Sequence, residues 1–155
     1  MENYQKLFVS IMLPLAVGFI GSAFTSGSLS DWYSGLVKPE FNPPSWVFAP
    51  VWTGLYILMG ISFYLIWKKG YSEKTKPAFL AYSVQLFLNF LWSFLFFGLR
   101  NPLYGLLEIA VLWFAIAANI FLFYKLDKAS AYLLVPYLLW VSFASVLNYF
   151  IFALN

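Results

Sequence analysis

The sequence predicts an all-α membrane protein: five transmembrane helices in one bundle, with a structured first loop capping a pocket on one side. Three observations carry this reading. Of 155 residues, 63% are hydrophobic, against nine basic and six acidic side chains; a soluble domain carries about a quarter charged residues. Apolar runs recur at 7–27, 46–67, 78–99, 103–124 and 131–153, each close to the roughly 20 residues that cross a hydrocarbon core. Between the first two runs lies KPEFNPPSWVFAPVW (38–52), with prolines at 39, 43, 44 and 50, too stiff and too rich in rings for an idle linker.

Each element has its own warrant. The first run follows a short polar segment, and no small-residue cleavage site leads from it into a soluble domain, so it reads as a span and not as a secretory signal. Gly18 and Ser22 form a small-x-x-x-small pair that lets helices approach, within the bundle or between copies; Ala110, Ala115 and Ala118 of the fourth run do the same. Pro14, Pro50 and Pro136 fall inside spans and predict kinks, tolerated where neighbours cover the freed carbonyl. The runs end in Ser-Gly-Ser, Lys-Lys-Gly, Arg-Asn-Pro and Lys-Leu-Asp-Lys. One transmembrane unit, 1–155, accounts for the whole chain.

Orientation follows from the basic residues. Lys6, Lys68, Lys69, Lys74, Lys76, Lys125 and Lys128 fall on the amino-terminal side; Lys38 and Arg100 fall on the other. The positive-inside rule then puts the amino terminus inside, the carboxyl terminus outside, and the proline-rich loop 31–45 on the outer face. The lysines mark topology, so the net charge of +3 is no nucleic-acid signal. Without a presequence, a bacterial plasma membrane is the expected location.

Cysteine and histidine are both absent. This excludes disulfides, Cys/His zinc sites and Cys- or His-based nucleophilic catalysis; no metal site is expected.

Polar side chains inside spans are functional candidates by default. Gln85, Asn89 and Trp92 share one face of the third helix, with Ser93 beside them. Phe48, Trp52, Tyr56 and Met59 run along the second; Tyr104, Leu107, Glu108 and Val111 open the fourth; Trp140, Ala144, Leu147 and Asn148 line the fifth. At ~1.5 Å rise per residue, Trp52 and Glu108 lie roughly 8–9 Å below the outer ends, Asn89 and Ala144 about 14–15 Å, and Trp140 about 20 Å. Polar and indole groups thus converge in the outer half. Asn and Gln could equally be interhelical glue, the indoles simple packing, and the loop a stiff interfacial connector. Glu108 must be protonated, paired or wet, with Arg100 or an indole N–H as its candidate partner.

The stretch WYSGLVKPEFNPPSWVFAPVWTGLYILMG (32–60) closely resembles the first-loop and second-helix signature of the TspO/MBR family, the tryptophan-rich sensory proteins related to the translocator protein, or peripheral benzodiazepine receptor. QLFLNFLWSFLFFGLR (85–100) and VPYLLWVSFASVLNYF (135–150) extend the likeness over essentially the whole chain. The resemblance implies a five-helix protein, often a homodimer, with an outer-half pocket roofed by the first loop. It implies binding of porphyrins such as protoporphyrin IX, of haem, and of isoquinoline- and benzodiazepine-type ligands. Carried over by position, the pocket residues are Ser22, Thr25, Tyr33, Phe48, Ala49, Trp52, Asn89, Trp92, Tyr104, Leu107, Val111, Trp140, Phe143, Ala144 and Leu147.

Three function classes follow. The first is a sensor, carrier or regulator that binds a porphyrin, with no cofactor required. The second is an enzyme degrading porphyrin with light and oxygen, for which Trp52 and Trp140 are the catalytic candidates. The third is a sterol or lipid transporter. Against the third, the family's sterol-associated motif is incomplete: Val146, Leu147 and Tyr149 are present, but no basic residue follows.

Overall fold

A computed structural model describes residues 1–155. It is entirely helical, and five helical segments are long and apolar enough to cross a membrane. Helix α1 covers Asn3–Leu29, α2 Phe48–Trp67, α3 Lys76–Ser93 and α4 Pro102–Leu126; the last span is split into α5, Lys128–Leu133, and α6, Val135–Leu154. A π-helical turn, Phe94–Gly98, extends α3, and 3-10 turns at Tyr33–Gly35 and Ser45–Val47 shape the first loop.

The ends are set by local chemistry. Glu2 N–H donates to the Gln5 side chain at 2.9 Å at the start of α1. Asn101 accepts from Tyr104 N–H at 3.1 Å ahead of Pro102, the first residue of α4, and Asp127 caps α5 through Ser130 N–H at 3.0 Å. These bonds satisfy backbone donors left over at a helix start.

The prolines divide by position. Pro136 follows the break at Leu134 between α5 and α6, so the expected interruption is there. Pro50 sits in the first turn of α2, where missing one donor breaks little, and no kink is needed. Pro14, inside α1, cannot donate to the Ser10 carbonyl. That carbonyl lies against Gly60 of α2, where a Cβ would fall 2.6 Å from it and 2.5 Å from the Ile11 Cα. The two backbones meet there. About two turns further along α1, a Cβ on Gly18 would strike the Tyr56 ring. The small residue of α1 therefore serves contact within the bundle.

Helix α1 packs on α2, α3 on α4, and α4 on α6. Buried apolar side chains form two clusters. The larger includes Met59, Ile66, Tyr82, Ile116, Phe123 and Val141; the smaller, Tyr33, Phe96, Phe97, Leu147 and Ile151, lies under the first loop. Interhelical hydrogen bonds tie the spans: Ser62 Oγ donates to Ser130 O at 2.6 Å, Trp113 Nε1 to Ser142 Oγ at 2.7 Å, and Ser28 Oγ to Phe97 O at 2.7 Å.

The bundle has a lysine side and a lid side. On the first, Lys69 pairs with Asp127 at 3.5 Å. On the second, Arg100 takes a left-handed φ of 53°, uncommon for a residue with a Cβ. Its guanidinium reaches Asp31 at 3.0 Å and the Gly27 carbonyl at 3.4 Å. Asn155 clasps the loop from the opposite edge, accepting from Val37 N–H at 3.0 Å and donating to Val37 O at 2.8 Å.

Candidate ligand cavity

A cavity of about 530 Å³ occupies the lid-side half, walled by α1, α2, α3 with its π turn, and α6. That volume lies within the ~300–1,000 Å³ range of small-molecule sites. Ser22 and Thr25 come from α1, Phe48, Ala49 and Trp52 from α2, Asn89 and Trp92 from α3, and Trp140, Ala144 and Leu147 from α6. Tyr33 of the first loop forms part of the roof. Eleven of the fifteen residues picked from sequence thus meet around one hollow.

The other four do not. Tyr104, Leu107 and Val111 are 50%, 60% and 56% exposed on the outward side of α4. The buried stripe of α4 instead runs through Gly105, Ile109, Leu112 and Ile116, and this helix backs α3 and α6 without reaching the hollow. Phe143 is half-buried beside Trp140, ring centroids 5.4 Å apart, one layer behind the wall. Sequence reasoning in turn left out Leu15, Phe19 and Ser26 of α1 and the adjacent pair Phe96 and Phe97. Phe96 and Phe97 lie in the π turn, outside the regular α-helical part of this span. An α-helical repeat places neighbours about 100° apart, so periodicity gave no signal for them.

The polar groups are organised. At the floor, Tyr56 donates to Asn89 Oδ1 at 2.9 Å, and Asn89 Nδ2 donates to the Tyr137 hydroxyl at 2.9 Å. On one wall, Trp92 Nε1 donates to Asn148 Oδ1 at 3.0 Å, and Asn148 Nδ2 to the Pro102 carbonyl at 2.9 Å. The Trp140 indole N–H is buried without a partner. Aromatic faces fill the rest: Trp52 stacks on Tyr56 at 5.5 Å, and Phe48 meets Trp140 edge-on at 6.0 Å.

The roof is stiff and doubly fastened. Tyr33 donates to Asn42 Oδ1 at 3.3 Å, and Lys38 Nζ lies 4.7 Å over the Tyr33 ring. Burial pushes the Tyr33 hydroxyl above its ordinary pKa, with the Asn42 bond acting the other way. The Trp32 N–H, then the Arg100 guanidinium, hold the Asp31 carboxyl below its usual range. Arg100 is therefore engaged by Asp31 and not by Glu108, which is 7% exposed with neither carboxylate oxygen bonded. Nor does an indole N–H reach Glu108, since Trp113 and Trp92 donate elsewhere.

The hollow also opens sideways. Ser22, Ser26, Ala49 and Thr53 line it and are exposed. Phe19, another lining residue, is 79% exposed. The mouth lies between the lid-side halves of α1 and α2, on the surface that faces acyl chains.

The sequence profile of the TspO/MBR family matches residues 10–154. A tryptophan-rich protein TspO of Archaeoglobus fulgidus is 50% identical over 155 residues, covering 99% of both chains. One from Chlorobaculum tepidum is 46% identical over 158 residues, covering 99% of this chain and 98% of that one. The human translocator protein is 41% identical over 133 residues, 84% of this chain and 79% of its own. Motifs, fold and likeness agree along nearly the full length, and the chain belongs to the TspO/MBR family.

Proposed function

We propose that this integral membrane protein binds a porphyrin in the lid-side cavity and acts as its sensor, carrier or regulator. One observation carries the reading: the hollow is walled by the aromatic rings of Phe48, Trp52, Tyr56, Trp92, Phe96 and Trp140, and it is open to lipid between α1 and α2. A flat, largely apolar ring matches such a wall. Lys38, above Tyr33 at the roof, supplies a cation for a propionate. Flat isoquinoline- and benzodiazepine-type molecules would use the same faces. The hydroxyls of Tyr33 and Tyr56 already donate to Asn42 and Asn89, so iron gains no strong axial ligand, and metal-free porphyrin binds at least as well as haem.

A second reading is breakdown of the bound porphyrin by light and dioxygen, favoured by Trp52 and Trp140 lining the same hollow. One experiment separates the two. Protein in nanodiscs is titrated with protoporphyrin IX in the dark, following tryptophan fluorescence, then illuminated in air. Saturable quenching without a new absorbing product supports the binder. A product formed in proportion to protein, and slowed in Trp52→Phe/Trp140→Phe, supports the enzyme. Absence of saturable quenching defeats both.

The seven lysines at one end support an orientation with that end, and the amino terminus, inside. A cysteine introduced at Ser72 should then react with a membrane-impermeant maleimide only in inverted vesicles; reaction in intact cells would reverse the assignment.

A further inference from the structure

We propose a second, internal binding site, for a small cluster of water molecules, in the lysine-side half one helical turn beneath the cavity floor. It is made by Ser10, Tyr82, Gln85 and Asn119, which are 0–1% exposed. Six of their polar atoms have no hydrogen-bond partner: Ser10 Oγ, the Tyr82 hydroxyl, and the amide nitrogen and oxygen of both Gln85 and Asn119.

The packing brings these groups to one level. The rings of Tyr82 and Phe123 stack with centroids 6.1 Å apart. Helices α3 and α4 run antiparallel and pack together, so one turn toward the lid from each reaches Gln85 and Asn119 at a common depth. Helix α1 runs parallel to α3, with Gly21 beside Ser93. About three turns back along both, Ser10 comes level with Tyr82. One turn above Gln85 is Asn89, whose amide holds Tyr56 and Tyr137 at the cavity floor.

The chemistry selects water. The group holds both donors and acceptors and no charge, so a bare cation would meet N–H and O–H dipoles with no anion to offset them. An apolar occupant would leave every one of the six atoms unsatisfied. A direct Gln85–Asn119 amide pair would leave Tyr82 and Ser10 orphaned. Buried waters typically make about three hydrogen bonds each, so about two or three would satisfy the set. Leucine at 85 and 119 would have filled this layer without any such demand. The site is independent of what binds in the cavity above it.

The test is water-edited NMR on the full chain, isotope-labelled, in lipid nanodiscs. The side-chain amide protons of Gln85 and Asn119 should exchange magnetisation with water. The Trp113 indole N–H, committed to Ser142, is the dry reference and should not. In Gln85→Leu the Asn119 water signal should fall at least threefold while the Trp113 signal stays unchanged. Amide signals that connect Gln85 to Asn119 and never to water would overturn the proposal, as would silence from both. The wild-type spectrum decides this even if the variant fails to fold.

Discussion

Near Ser10 the first two helices touch backbone to backbone, through Gly60; near Ser26 and Ala49 they part far enough to border a cavity. The same pair of helices thus closes at one end and opens at the other. The sequence places a residue without a side chain at the closure, where a Cβ on Gly60 would collide with the α1 backbone. Gly54, on α2 toward the lid, has nothing within 4 Å of its would-be Cβ. Close contact in lipid needs small residues because apolar burial alone does not drive helices together there. A hollow needs the reverse: large side chains fixed around its rim and floor by ties such as Tyr56–Asn89–Tyr137.

The sharpest way to break this contrast is Gly60→Leu. Overpacking a close contact costs about 1–3 kcal/mol or more, and here the obstacle is backbone, which cannot swing aside. We expect a clear loss of thermal stability in detergent, followed by tryptophan emission. Gly54→Leu is its counterpart and should stay within about 0.5 kcal/mol of wild type, as for a surface change with no special feature. Equal effects at the two positions would mean that the closure is not where the bundle is held.

Next in size is Ala144→Phe, which puts a ring into the hollow. Porphyrin affinity should fall at least tenfold, about 1.4 kcal/mol, with the melting temperature nearly unchanged. Unchanged affinity in a dark titration would place the ligand elsewhere.

The smallest expected effect concerns the roof. The Asp31 carboxyl is held below the ordinary aspartate value, so the folded state binds that proton less readily than the unfolded chain. The contribution of its pairing with Arg100 is therefore complete above that value and is lost as pH falls through the still lower folded pKa. The pair is exposed, so its effect on stability is small. Asp31→Asn should speed porphyrin dissociation a few-fold at pH 7. Wild type should match the variant only at strongly acid pH, as stopped-flow dissociation would show; a rate that climbs near pH 6 would rule out Asp31 as the fastening.

The two halves were unequally legible. Five spans could be read from length and apolarity, and their ends from Asn101, Pro102 and Asp127. Inward-facing positions on α2, α3 and α6 could be read too, because indoles and amides stand out against aliphatic neighbours. On α4 the one marker near the lid is Glu108, which does face inward; its neighbours Tyr104, Leu107 and Val111 carry no such mark. Tyr104, Leu107 and Val111 are as apolar as the residues facing inward, and lipid accepts either face, so periodicity does not tell inside from outside. The pairing of Arg100 with Asp31 was hidden for another reason. It depends on a left-handed backbone at Arg100 that turns the side chain toward the first loop, and no local motif announces it. The π turn that holds Phe96 and Phe97 has no sequence signature of its own either.

The sideways mouth between α1 and α2 has a thermodynamic consequence. An occupant that leaves through it enters the hydrocarbon phase, so the reservoir that sets occupancy is the amount dissolved in lipid. Any affinity measured against total concentration then scales with the partition coefficient of the compound and with the lipid-to-protein ratio. Two bilayers bathed in the same solution but differing in how well they dissolve the ring would fill the protein to different extents.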